Sequence, residues 1–194
     1  MSSFIGHALL GFALAQQTPT QTRKESVVVS SFFILLAWSP DVDYLLRYLT
    51  ATFLPIRYTH SLGYALLITT LSLLFRNIVL KKYLFHIPLI LFFLAPLSHL
   101  LLDFLVGVHA NPYLFPLSST TIVFPFGILP SAGHIDIHNY YFWRNLAIEL
   151  TIITPLLLLI IPPYRASLRH YPLLALLLSL LFILGISIGF HLQR

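Results

Sequence analysis

Six apolar stretches constrain this chain before anything else does. They cover residues 4–15, 26–38, 62–75, 84–108, 146–161 and 171–190, separated by short polar or basic connections and one long loop. A helix crosses a hydrocarbon core about 30 Å thick with about 20 apolar residues. Only 9% of the residues are charged, where an ordinary soluble domain carries about 25%. A soluble core cannot absorb so much apolar chain. The expectation is therefore all-α: a polytopic membrane helix bundle of about six hydrophobic segments, forming one integral membrane domain over residues 1–194. Within it, residues 1–115 hold the chemically interesting groups, residues 116–145 complete a long extramembrane loop, and residues 146–194 supply two further helices.

The first segment, with His7 inside it and Gly6 and Gly11 on either side, is short for a crossing. It is read as a helix rather than a signal peptide, because Met1-Ser2-Ser3 carries no basic residue. After the second segment, Ser39-Pro40 supplies a helix cap and a first-turn proline. A short interfacial helix over residues 41–51 is expected there, mixing Leu45, Leu46 and Leu49 with Asp43, Tyr44 and Arg47. If every segment crosses, seven basic residues (Arg23, Lys24, Arg76, Lys81, Lys82, Arg165, Arg169) fall on one side and four (Arg47, Arg57, Arg144, Arg194) on the other. The richer side is cytoplasmic by the positive-inside rule. Both termini and the long loop are then extracytoplasmic in a multi-pass cell-membrane protein. The net charge of +5 sits at segment ends, where it meets lipid headgroups; no nucleic-acid partner is expected.

Carboxylates are scarce, with six acids in 194 residues, and two of them form Asp41-Val42-Asp43 directly after an apolar run. Asp103 lies inside the fourth segment, one turn beyond His99 and on the same face. Each acid at membrane depth costs about 2.5–3.5 kcal/mol, so three unpaired ones cost about 8–10 kcal/mol. A bound cation would offset that. Without cysteine, its ligands must be His and carboxylate, which suits zinc, manganese or iron. Under strict alternation, His7, Asp41, Asp43, His60, His99 and Asp103 all fall in one leaflet. Taken singly, His-x3-Asp and Asp-x-Asp are more often structural contacts or helix-dipole partners; together in an apolar chain they point to a site. His134, Asp136 and His138, in the long loop on the same side, are candidates for an additional acid/base or metal group. His86, His170 and His191 sit at segment ends and read as interfacial.

His7 with Gly11, then Pro40-Asp41-x-Asp43, Thr59-His60-Ser61 and His99-x3-Asp103 together resemble the YdjM-type family of membrane-bound, metal-dependent hydrolases. The resemblance covers roughly residues 1 to 115. That family is in turn distantly similar to zinc-dependent phospholipases C. The resemblance implies that His7, Asp41, Asp43, His60, His99 and Asp103 are metal ligands. The family's third motif often opens with His-Arg, where this chain has Pro55-Ile56, and Arg57 stands one place further on. Six ligands suit one or two divalent ions, zinc first, with manganese, iron or magnesium as alternatives. Two ions would lie about 3.5–4 Å apart, bridged by Asp41 or Asp103. Thr59 and Ser61 are expected to hydrogen-bond behind His60. Arg57, or Arg47, is expected to hold a substrate phosphate. The function expected is hydrolysis of a phosphoester or lipid-like substrate by a metal-activated water, with Asp41, His60 and Arg57 in catalytic roles. Membrane lipids are the expected neighbours, and nothing in the sequence fixes an oligomeric state. The alternatives are a transporter that handles protons or metal ions, or a non-catalytic membrane scaffold. A transporter spreads polar residues through both leaflets and often carries repeats; this chain shows neither pattern.

Overall fold

A computed structural model describes residues 2–50, 56–132 and 136–192; the side chains of Leu45, Arg47 and Tyr48 lie outside that description. Its helices are α1 (Phe4–Ala15), α2 (Arg23–Trp38), α3 (Val42–Thr50), α4 (Leu62–Ile78), α5 (Lys81–Leu84), α6 (Leu89–Val106), α7 (Tyr140–Ile160), α8 (Pro162–Leu168) and α9 (Pro172–His191). A 3-10 turn, Ser39–Asp41, joins α2 to α3. Among the described residues the only extended pairing is the lone bridge between Asn111 and Ile122. The fold is all-α. Four stretches are long and apolar enough to cross a membrane: Arg23–Tyr44, Leu89–Val106, Tyr140–Ile160 and Pro172–His191. Phe4–Ala15 and Leu62–Ile78 are apolar but shorter, at 12 and 17 residues. At a rise of about 1.5 Å per residue they reach only about 18 and 26 Å. Six apolar segments exist, therefore, but four have full crossing length.

Helix limits follow local chemistry that apolar runs alone do not reveal. The start of α2 precedes its apolar run because Thr22 accepts from the Glu25 amide and Glu25 accepts from the Gln21 amide, a reciprocal cap. The expected continuous helix over residues 84–108 is broken. Residues 81–84 form α5, and Pro88 opens α6 as a fresh helix. Gly107, at φ 64°, ends α6 in the left-handed conformation that glycine adopts without strain. Asn139 accepts from the Tyr141 amide, so α7 begins at Tyr140, ahead of its apolar stretch. Arg76 belongs to α4 rather than to a loop; it is buried and donates to the Phe85 carbonyl at 2.8 Å.

Two hydrophobic clusters meet along α1 and α6. One gathers Ala13, Leu102 and Val106 against Ile148, Ile152, Ile153 and Leu157 of α7. The other gathers Ala15, Leu91, Phe92 and Ala95 against Val29, Phe33 and Leu36 of α2. The two short-range neighbours α1 and α2 can lie this close because Gly11 faces the backbone at Phe33 and Ile34. Pro96 lies inside α6 and cannot donate to the Phe92 carbonyl. The Thr69 hydroxyl of α4 donates to its own helix at the Ala65 carbonyl, 2.7 Å away, and also stands 3.3 Å from the Phe92 oxygen. The long loop folds back on the start of α4, where the amides of Leu62 and Gly63 donate to the carbonyls of Tyr113 and Phe115.

Candidate metal centre

The centre forms where four helix ends and one helix interior meet. Pro40 cannot donate an amide hydrogen to the Leu36 carbonyl. The Ser39 hydroxyl donates to it instead, at 2.8 Å, and the chain turns so that Asp41 points inward, buried. The last turn of an α-helix leaves carbonyls without partners; that of Ala37 accepts from His99 Nδ1 at 2.9 Å. This fixes the His99 ring and leaves Nε2 to carry its lone pair into the centre. His99 and Asp103, one turn apart on α6, are both buried. His60 precedes α4, is fully buried, and its Nδ1 stands 3.1 Å from Thr59 Oγ1. His7, on the second turn of α1, stacks on His99 with ring centroids 3.7 Å apart.

The reactive atoms crowd together. One ligand atom from each of His7, Asp41 and His99 lies within 4.8 Å of the others, and the same holds for His60, His99 and Asp103. The sharpest grouping is His60 Nε2, His99 Nε2, Asp41 Oδ1 and Asp103 Oδ2. Five of its edges measure 3.2 Å (His60–His99), 3.3 Å (His60–Asp103), 3.4 Å (His60–Asp41), 3.5 Å (His99–Asp41) and 3.9 Å (His99–Asp103). Four ligands placed tetrahedrally about 2.0–2.1 Å from zinc stand about 3.3 Å apart. Asp41 Oδ2, Asp103 Oδ2 and both ring nitrogens of His7 are buried with no hydrogen-bond partner. Buried polar atoms are rarely left so. This donor set fits a divalent cation and could hold one.

Charge leads to the same conclusion. Arg57 donates from Nε to Asp43 Oδ2 at 2.5 Å, and from one terminal nitrogen to Asp43 Oδ1 at 3.0 Å and Asp41 Oδ1 at 3.2 Å. It therefore neutralises one of three carboxylates. With the histidines neutral, Asp41, Asp43 and Asp103 leave two negative charges, which a divalent ion would balance. Burial acts to lower the Arg57 guanidinium, but its bond to Asp43 holds it above its ordinary value. Burial likewise acts to lower His60, but its contacts with Asp103 and Asp41 outweigh it and raise the imidazole.

Several expectations need correction. Asp43 is drawn to Arg57 and shares neither metal-sized group. Ser61 does not back His60; it caps α4, accepting from the Tyr64 amide and donating to the Tyr58 carbonyl. Fixed positive charge is nearer than the sequence suggested, since Arg57 reaches into the centre. Arg47's side chain and His134 lie outside the described residues. Asp136 accepts from the His138 amide at 3.1 Å in an exposed turn, and among the described residues neither belongs to a metal-sized group. One contributor was not foreseen, the Ser2 amide, which donates to Asp103 Oδ1 at 3.0 Å; Glu149, the one acid of the last two segments and so a ligand candidate, is buried but accepts from the Ser3 amide at 3.0 Å instead of joining the centre. No spacing rule links residues so distant in sequence, although Glu149 stands out as an acid inside an apolar segment.

Fold and centre together define a membrane-embedded helical protein with a buried His/Asp group at one end of the bundle. The chain matches the family described as YdjM inner membrane protein over residues 1–192 and belongs to it. The match runs well beyond the motif-bearing half, through α7 and α9. No curated protein and no solved structure matches the chain.

Proposed function

We propose that this protein is a membrane-embedded, metal-dependent hydrolase that cleaves a phosphoester in a lipid-like substrate. The observation that carries this reading is the buried convergence of His60, His99 and Asp103 in one metal-sized group, with Asp41 Oδ1 3.4 and 3.5 Å from the two imidazole nitrogens. A divalent ion held there, zinc by its donor set, supplies Lewis-acid activation of water and of a phosphoryl oxygen. His99 offers Nε2 alone, because Nδ1 is engaged by Ala37, so His60, His99 and Asp103 would hold one ion and leave a position for water. Asp41 Oδ2, buried and without a partner, is the atom to take a proton from the attacking water. Arg57 keeps its second terminal nitrogen, Nη1, without a partner, and that nitrogen is available to a phosphate oxygen. Thr59 orients His60 from behind.

A lipid-like substrate is supported by a groove between α2 and α4. Its volume is about 330 Å³, and Phe32, Leu36, Ser39, Ile68, Leu71 and Phe75 are among its lining residues. Ser39, at one end, is two residues from Asp41, so an acyl chain lying in the groove would bring its headgroup to the centre. If all six apolar segments cross, the excess of basic residues on the opposite loops supports an extracytoplasmic centre.

The test is elemental analysis of the detergent-purified chain, followed by hydrolysis of a panel of phosphomonoesters, phosphodiesters and phospholipids with zinc or manganese. The Asp103→Asn variant keeps an oxygen for the Ser2 amide but replaces a ligand with an amide nitrogen; it should lose bound metal and turnover together. Parent protein that holds no metal, or an Asp103→Asn variant that hydrolyses at the parent rate, would sink the proposal.

A further inference from the structure

The centre does not use Glu149, yet this carboxylate lies fully buried in the spanning helix α7. Its partners come from the other end of the chain. The Ser3 amide donates to Oε1 at 3.0 Å and to Oε2 at 3.1 Å, and the Ser2 hydroxyl donates to Oε1 as well. The same two residues then act on the centre. The Ser2 amide donates to Asp103 Oδ1 at 3.0 Å. The Ser3 hydroxyl caps α1 by accepting from the Gly6 amide at 2.9 Å, and His7 follows one residue later. Glu149 thus holds a two-residue strap whose one end orients Asp103 and whose other end starts the helix that presents His7. Gly6 leaves room for this arrangement, because a Cβ there would collide with Glu149 Oε1.

We propose that Glu149 is a positioning residue of the His/Asp centre, acting through the Ser2–Ser3 strap. The inference rests on reading the centre as a metal site. Carboxylates and amides that orient metal ligands from behind set affinity, and their loss costs about 10- to 100-fold in metal binding or activity. Glu149→Gln keeps the side chain's size but leaves a single oxygen to accept from both the Ser2 hydroxyl and the Ser3 amide, and sets a donor where the second oxygen accepted.

The experiment is a zinc titration of the full chain in detergent against a competing chelator dye. Parent, Glu149→Gln, Ser2→Pro and Leu157→Ala are compared, with melting temperatures recorded for each. Ser2→Pro removes the amide hydrogen that reaches Asp103 and lies outside every helix, so it serves if Glu149→Gln does not fold. Leu157→Ala, in the buried core of α7, is a control that destabilises without touching the strap. Glu149→Gln and Ser2→Pro should each weaken zinc binding about 10- to 100-fold at unchanged stoichiometry, while Leu157→Ala lowers the melting temperature and leaves zinc affinity alone. Parent protein that binds zinc together with strap variants that bind it equally well overturns the positioning role and leaves the metal reading intact. An equal loss of affinity in Leu157→Ala overturns it too, since stability alone would then explain the effect. Parent protein that binds no zinc overturns both.

Discussion

Gly11→Ala should damage the centre from a distance, and the size of the effect can be worked from the helix crossing. A Cβ at position 11 would lie 2.6 Å from the Phe33 carbonyl oxygen and 2.8 Å from the Ile34 Cα, whereas ordinary contact begins at 3.4 Å. Both neighbours are backbone, so no rotamer change relieves the overlap. The helices α1 and α2 must part by 3.4 − 2.6 = 0.8 Å. Overpacking of this kind costs about 1–3 kcal/mol, or about 2–12 °C of melting temperature in a chain of this length. The strain does not stay local. His7 lies one turn before Gly11 on the same face of α1, and its Nε2 is 3.5 Å from Asp103 Oδ1. A misplacement of about 1 Å at reacting groups costs on the order of 100-fold in rate. Under the proposed hydrolytic function, turnover should therefore fall by more than the stability loss accounts for. The assay pairs thermal melts in detergent with turnover measured well below the melting temperature. A Gly11→Ala variant that melts within about a degree of the parent and turns over normally would refute the close helix contact.

Thr69→Val should cost about 1–3 kcal/mol, because it removes the hydroxyl shared by the Ala65 and Phe92 carbonyls; Pro96→Ala restores an amide to Phe92 alone, so the double variant should recover part of the loss in thermal melts. Single cysteines at Ser119 and Asn77, both exposed, should react with a membrane-impermeant reagent from opposite faces in intact cells and inverted vesicles, Ser119 from the outside. Labelling of both from one face would remove the topology on which the extracytoplasmic placement depends.

Much of the centre was legible because scarcity made it so. In a chain with six acids, Asp41, Asp43 and Asp103 could not be ordinary surface charge, and alternation of the segments already put them beside His7, His60 and His99. What alternation could not supply was the division of labour among them. Asp41 and Asp43 stand two residues apart, and only the direction of the Arg57 side chain decides which carboxylate is taken up as its main partner. Ser61 illustrates a second limit: a hydroxyl next to a histidine reads equally well as a hydrogen-bond partner of the ring or as a helix cap, and the amide of Tyr64 claimed it. Helix starts at Arg23 and Tyr140 depended on side-chain caps at Thr22 and Asn139, which apolar periodicity does not register. The Thr22-x-x-Glu25 pattern was available to be read. The link from Glu149 to Ser2 and Ser3 was not, since it spans most of the chain and ends on backbone amides.

That link sets an order of assembly. Every candidate ligand, from His7 to Asp103, is synthesised before the ribosome reaches position 149, so the ligand-bearing helices can enter the membrane while the carboxylate that fastens the N-terminal strap does not yet exist. A nascent chain stopped after α6 would carry all the donors but lack the group that holds Ser2 and Ser3 in place. Completion of the centre is in this way deferred to the arrival of α7, and a chain truncated within the long loop is left with a loosened site rather than a finished one.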